Sequence, residues 1–250
     1  MIYSEGGKKM NHMESEWNGF KRLDFDFMGR NAILVIPKEP NIQKKWIYKT
    51  EYFDAFPSFE IEMLDKGYYV AYLSNKSRLC PEEDTDMRPL FCDFLSTEFG
   101  LFKKCLVVGM SCGGMQGVYF AAKYPQYIAA LYLDAPVMNL LSWPLGLGES
   151  KYPSPEEFKR DMGLSVSEML NFRNHPIDCK DKLLESGIPI FLIAGDSDLT
   201  VPYNENGKLL SDYFKANNGN ITEILKKGCD HHPHGLEDNA PLFDFVKKYY

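Results

Sequence analysis

Ser111 sits in the pentapeptide Gly109-Met110-Ser111-Cys112-Gly113, a match to Gly-x-Ser-x-Gly. An apolar run, residues 106–108, leads into it, and helical periodicity follows as far as Phe120 and Ala122. A serine on a sharp strand-to-helix turn takes strained dihedrals and projects its hydroxyl away from the sheet. The flanking positions need glycine because a side chain there would strike the neighbouring strand or helix. Such a turn presents a nucleophile. A hydroxyl attacks at neutral pH only when a base takes its proton, and the base needs an acid to orient it. The pentapeptide alone also describes an ordinary tight turn, so the case rests on its setting and on what lies downstream.

Both partners follow in the chain. A second apolar run, residues 189–194, ends in Gly195-Asp196-Ser197-Asp198, which places Asp196 and Asp198 where an open parallel sheet gathers functional groups. Asp134 ends another apolar run and is a third candidate acid. Three of the five histidines, His231, His232 and His234, share the loop 228–235. With Cys229 and Asp230 they are also metal-ligand types, but no matching pair elsewhere has zinc spacing, so no metal is expected. Cys112 is a rival nucleophile by chemistry. It stands one residue past the turn, where its backbone N–H is the expected first oxyanion donor and its sulfur is packing.

The order Ser, Asp, His, with Gly195-x-x-Asp198-x-x-Val201-Pro202 and a histidine loop before a final helix, resembles the α/β-hydrolase superfamily from about Phe20 to the end. The stretches Asp134-Ala135-Pro136-Val137, Ser142-Trp143-Pro144 and His231-His232-Pro233-His234-Gly235 are similar to a bacterial group of small esterase-like, prolyl-oligopeptidase-like serine hydrolases. The resemblance implies Ser111 as nucleophile, Asp198 as acid and His231 as base, with Asp196 left to brace its loop. It implies a second oxyanion donor in the loop after residues 32–36. Pro37 has no N–H there, which leaves Lys38 or Glu39, with Glu39 preferred by position. It also implies that Trp46, Lys49 and Trp143, with Tyr52 beside them, line the substrate pocket. The expected activity is hydrolysis of a small carboxylic ester through an acyl-enzyme, with no cofactor. A peptidase acting on short peptides is the alternative, and a non-catalytic binding protein of the same fold is a third reading.

Composition bounds these readings. The chain has 250 residues, enough for one domain with a large core, and a net charge of −7 that disfavours nucleic-acid partners. No apolar run is long enough to span a membrane. The six cysteines show no framework spacing, which favours free thiols and a cytoplasmic setting. Residues 1–17 are polar, without the apolar core of a signal peptide, and are read as an arm ahead of a single domain, residues 18–250.

The elements that must position these groups alternate. Strand patterns at residues 21–27, 32–36, 68–73, 105–108, 130–134, 189–194 and 222–226 interleave with helical stripes such as Phe59-Met63-Leu64 and Leu209-Leu210-Tyr213-Phe214. Strict alternation predicts an α/β fold: a mostly parallel central sheet with helices on both faces. Residues 138–187 are too long for a simple connection and predict a small helical cap over the site.

Overall fold

A computed structural model describes residues 11–250. In chain order the elements are β1 (His12–Trp17), β2 (Phe20–Phe27), β3 (Arg30–Ile36), β4 (Trp46–Lys49), α1 (Ser58–Asp65), β5 (Tyr69–Leu73), α2 (Glu82–Phe99), β6 (Cys105–Met110), α3 (Cys112–Lys123) and β7 (Ile128–Asp134). Then come α4 (Pro155–Met162), α5 (Val166–Asn171), α6 (Lys180–Ser186), β8 (Ile190–Gly195), α7 (Gly207–Ala216), β9 (Ile221–Lys226) and α8 (Ala240–Tyr249). The strands form one sheet in the order β1-β2-β3-β5-β4-β6-β7-β8-β9. The pairs from β1 through β5 are antiparallel, and every pair from β5 through β4 to β9 is parallel.

The central strands read as unbroken apolar runs because both faces are covered. Alternate residues separate cleanly. Val107, Leu131, Leu133 and Leu192 face α2, α3, α6 and α7, whose Phe91, Val118, Leu183 and Phe214 pack there. Val108, Tyr132, Phe191 and Ile193 face α1 and α8, whose Phe59, Met63, Leu242 and Phe245 pack on the other side. With parallel strands, all the loops after β4, β6, β7 and β8 emerge at one edge, and Ser111, Asp198 and the histidine loop meet there.

Three expectations need correction. The arm begins as structure: His12–Trp17 pairs antiparallel with β2 and ends on Trp17, which is buried and donates from Nε1 to Asp54. Residues 1–10 of the expected arm lie outside the described residues. The insertion is shorter than 138–187, because α6 is an ordinary crossover helix with Leu183 in the main core. The rest, with Trp143, Phe158 and Met169, packs on Cys112 and Met115 at the start of α3 and on Val137 after β7. The third correction is β4, a central strand that carries a lysine. Lys49 is fully buried, and its Nζ meets Glu60 of α1 at 2.5 Å. Removing either partner of such a pair strands a buried charge, at a cost of about 3–5 kcal/mol. Among the described residues no helix is long and apolar enough to cross a membrane.

Candidate active site

Ser111 takes φ +53° and ψ −118° between β6 and α3. Its backbone is tied to β7: its N–H donates to Asp134 O at 2.9 Å, and its carbonyl accepts from Val137 N at 3.1 Å. The glycines around it are demanded by contact. A Cβ at Gly109 would lie 2.4 Å from Gly113 O, and one at Gly114 would lie 2.5 Å from Pro136 Cβ. The turn is therefore closed to side chains at its glycine positions.

The acid loop and the histidine loop are similarly interlocked. A Cβ at Gly195 would fall 2.2 Å from Cys229 O, so only glycine lets the end of β8 pass the loop after β9. Asp198 accepts the N–H groups of Thr200 and Val201 on Oδ1, both at 2.8 Å, and presents Oδ2 to His231 Nδ1 at 2.7 Å. His231 Nε2 lies 3.1 Å from Ser111 Oγ. All three side chains are nearly buried, so the two hydrogen bonds sit in low dielectric, where they are strengthened. Asp196 is turned away: it accepts Gly228 N at 2.7 Å and Ser197 Oγ at 2.9 Å, bracing the loop. Asp230 accepts the N–H groups of His231 and Leu199, which hold its carboxyl below the usual range.

Asp134 and His234 make a second buried pair, Oδ1 to Nδ1 at 2.9 Å, while Asp134 Oδ2 accepts Gly235 N at 2.6 Å. This pair fastens the histidine loop to the end of β7. The rings of His231, His232 and His234 stand 4.8–4.9 Å apart, centroid to centroid.

Ser111 and His231 open on a cavity of about 270 Å³, lined also by Tyr52, Arg78, Trp143 and Thr200. No aspartate or glutamate is among the described residues lining it. A larger cavity, about 410 Å³, lies between α2, α3 and the insertion, against Tyr119 and Phe172. It holds none of the three interlocked residues, and chemistry rather than size selects the smaller one. Cys112 is fully buried, and burial pushes its thiol up to about 12, so its sulfur is inert at neutral pH. Its backbone N–H opens α3, where the first N–H groups have no intrahelical acceptor.

The expected pocket and oxyanion loop are only partly met. Trp143 lines the cavity, with the Arg78 guanidinium 5.3 Å above its ring. Trp46 does not: it is buried at the start of β4, donating to Phe102 O at 2.8 Å. Lys49 is spent on Glu60 beneath the site. Lys38 and Glu39 are at the wrong edge of the sheet. Because β3 runs antiparallel to β5, the loop after β3 emerges where the parallel strands begin. There Asn41 N donates to Gly67 O at 3.0 Å, and Lys38 Nζ sits 5.1 Å from the Phe20 ring centroid. The separation is a strand's length, roughly 13 Å at about 3.3 Å per residue.

The loop that reaches Ser111 follows β4 instead. It carries Tyr52, at φ +52°, whose hydroxyl lies 3.5 Å from Arg78 Nη1. Burial, then the Cys112 thiol beside it, raises the Tyr52 phenol well above its usual range, so it stays a donor. Arg78 had no sequence signal. Tyr52, expected beside the pocket, does line it, on the loop after a strand too short for the pattern to reveal.

Comparison with known proteins bears on the fold. A family model described as the alpha/beta hydrolase fold matches residues 97–163, the segment holding β6, Ser111 and β7. No curated protein sequence matches the chain. Among solved structures, dipeptidyl peptidase 4 of Porphyromonas gingivalis superposes with a TM-score of 0.65 at 13% identity, over 96% of this chain and 35% of that one. A protein of Bacteroides ovatus assigned as a dipeptidyl aminopeptidase IV gives 0.65 at 15% identity, over 95% and 35%. The chain thus spans about a third of the length of each, and the likeness is one of fold.

Proposed function

We infer that this chain, which has the α/β-hydrolase fold, is a serine hydrolase that cleaves small acyl compounds through an acyl-enzyme. The single observation that carries the reading is the unbroken line from Asp198 through His231 to Ser111, at 2.7 and 3.1 Å. Ser111 attacks the carbonyl carbon. His231 Nε2 takes the hydroxyl proton and returns it to the leaving group. Asp198 holds the imidazole in the tautomer that keeps Nε2 free, and water then repeats the cycle on the acyl-enzyme. The Cys112 N–H and the Tyr52 hydroxyl are the donors for the oxyanion. No step asks for a cofactor. The reactants are small molecules rather than nucleic acid, and six unpaired thiols suit a cytoplasmic setting.

Two bond types compete. The peptide bond of a short peptide comes first, because both superposed structures carry peptidase names. The ester reading keeps one observation of its own: among the described residues no carboxylate lines the cavity to receive a free amino terminus. A panel of dipeptidyl and aminoacyl arylamides beside acetyl, butyryl, long-chain and feruloyl aryl esters separates them. The peptidase reading expects dipeptidyl arylamide turnover. Turnover confined to esters reverses the order. A fluorophosphonate probe is expected to label Ser111. An unlabelled chain that turns over nothing is a binding protein.

Tyr52→Phe removes one oxygen and leaves the ring in place. If the hydroxyl stabilises the oxyanion, kcat falls by about 10²-fold with little change in KM. An unchanged kcat, or a loss confined to KM, would remove Tyr52 from the oxyanion site.

A further inference from the structure

Three imidazoles converge at the mouth of the site, and the mechanism uses only one. One ring nitrogen from each of His231, His232 and His234 lies within 4.8 Å of the other two. In two of the rings Nδ1 faces a buried carboxylate, Asp198 for His231 and Asp134 for His234. A carboxylate partner fixes Nδ1 as the N–H and leaves the lone pair on Nε2, the same tautomer that prepares an imidazole for a metal. The ring of His232 has no hydrogen-bond partner among the described residues and is exposed. It stacks on Phe56, ring centroids 5.5 Å apart, which steadies the ring beside the other two imidazoles.

We propose that His231, His232 and His234 form an inhibitory site for a divalent transition-metal ion of the zinc class, seated over the nucleophile. Imidazole nitrogen is a preferred ligand for such ions, and three protein ligands leave a fourth position for water. With Zn–N bonds of about 2.0–2.1 Å a tetrahedral site brings its nitrogens to about 3.3 Å, so no pair closes by more than about 1.5 Å. The exposed His232 gives the ion its way in. Binding occupies the Nε2 lone pair of His231 that would otherwise take the Ser111 proton, so the loaded chain is inactive. That last step rests on the serine-hydrolase reading; the binding itself does not.

The test uses the full chain stripped of metal. Zinc is titrated in competition with a chromophoric chelator, and turnover of the best panel substrate is followed in parallel. One ion per chain is expected, with turnover falling as the site fills and returning on addition of EDTA. His232→Ala and His232→Gln should each weaken binding by about tenfold or more, since each removes one ligand of three. They should raise the half-inhibiting zinc concentration by the same factor, each rate taken relative to the variant's own zinc-free rate. Cys229→Ser should change neither. Wild-type binding in both His232 variants, loss of binding in Cys229→Ser, or full turnover with the site filled would each overturn the proposal. If the chain turns over nothing, the binding titrations still decide the metal site, while labelling of Ser111 decides the hydrolase reading.

Discussion

Ser111→Ala is expected to fold normally and to lower kcat by roughly 10³-fold or more, because members of a catalytic triad act as a unit. The side chain makes one hydrogen bond, to His231, and alanine keeps the Cβ that the turn already tolerates at positive φ. Little stability is therefore at stake. Cys112→Ala is the paired control. It deletes a buried sulfur but retains the backbone N–H that opens α3, so turnover should persist. On the serine-hydrolase reading, iodoacetamide should also leave turnover by the native chain intact, because a thiol pushed to about 12 supplies almost no thiolate at neutral pH. A dead Cys112→Ala beside a live Ser111→Ala would move the nucleophile by one residue.

The second large effect is expected at the acid. Asp198→Asn should keep its loop, since the amide oxygen can still accept from Thr200 and Val201. Its NH₂, however, can only donate toward His231 Nδ1. The imidazole proton is then driven to Nε2, where it points at Ser111 and cannot accept. The expected loss in kcat is about 10⁴-fold. Asp196→Asn should stay close to the native rate, as that carboxylate serves Gly228 and Ser197. Asp134→Asn is the informative rival, since Asp134 has its own histidine; it should loosen the His234 anchor and cost far less. A collapse in Asp134→Asn with a normal Asp198→Asn would place the acid after β7 instead.

The legibility of these residues in the sequence follows from how local their signals are. Ser111 is marked by steric demands within five residues, and the close contacts of Gly109 and Gly114 show why glycine is needed there. The acid and the base were narrowed to loops by apolar runs, while the choice within each loop came from resemblance. The structure places Asp198 Oδ2 2.7 Å from His231 Nδ1, and His231 Nε2 3.1 Å from Ser111 Oγ. The loop after β4 is not legible in the sequence because β4 is four residues long and ends in lysine. Such a run does not read as a buried strand unless one knows that Glu60, eleven residues later, lies against it. Missing one strand shifted the expected loop to the far edge of the sheet and turned two core residues, Trp46 and Lys49, into pocket candidates. Arg78 and the second pair, Asp134 with His234, depend on contacts across 79 and 100 residues, which no local pattern carries.

The two outermost strands, β1 and β9, bear on behaviour in a crowded solution rather than on chemistry. Among the described residues each leaves a row of backbone donors and acceptors without a neighbouring strand, an invitation to another chain. Along β1, Glu14 and Glu16 face water, and Lys21 of β2 reaches across to Glu14 at 2.8 Å. Along β9, Glu223 holds Lys215 at 2.5 Å, and Lys226 reaches over to the carbonyl of Pro233 at 2.6 Å. A second copy adding its own margin would have to strip water from these charges and set like beside like, on a molecule already carrying −7. Charge placed along the described edges in this way works against templated stacking of one sheet on another.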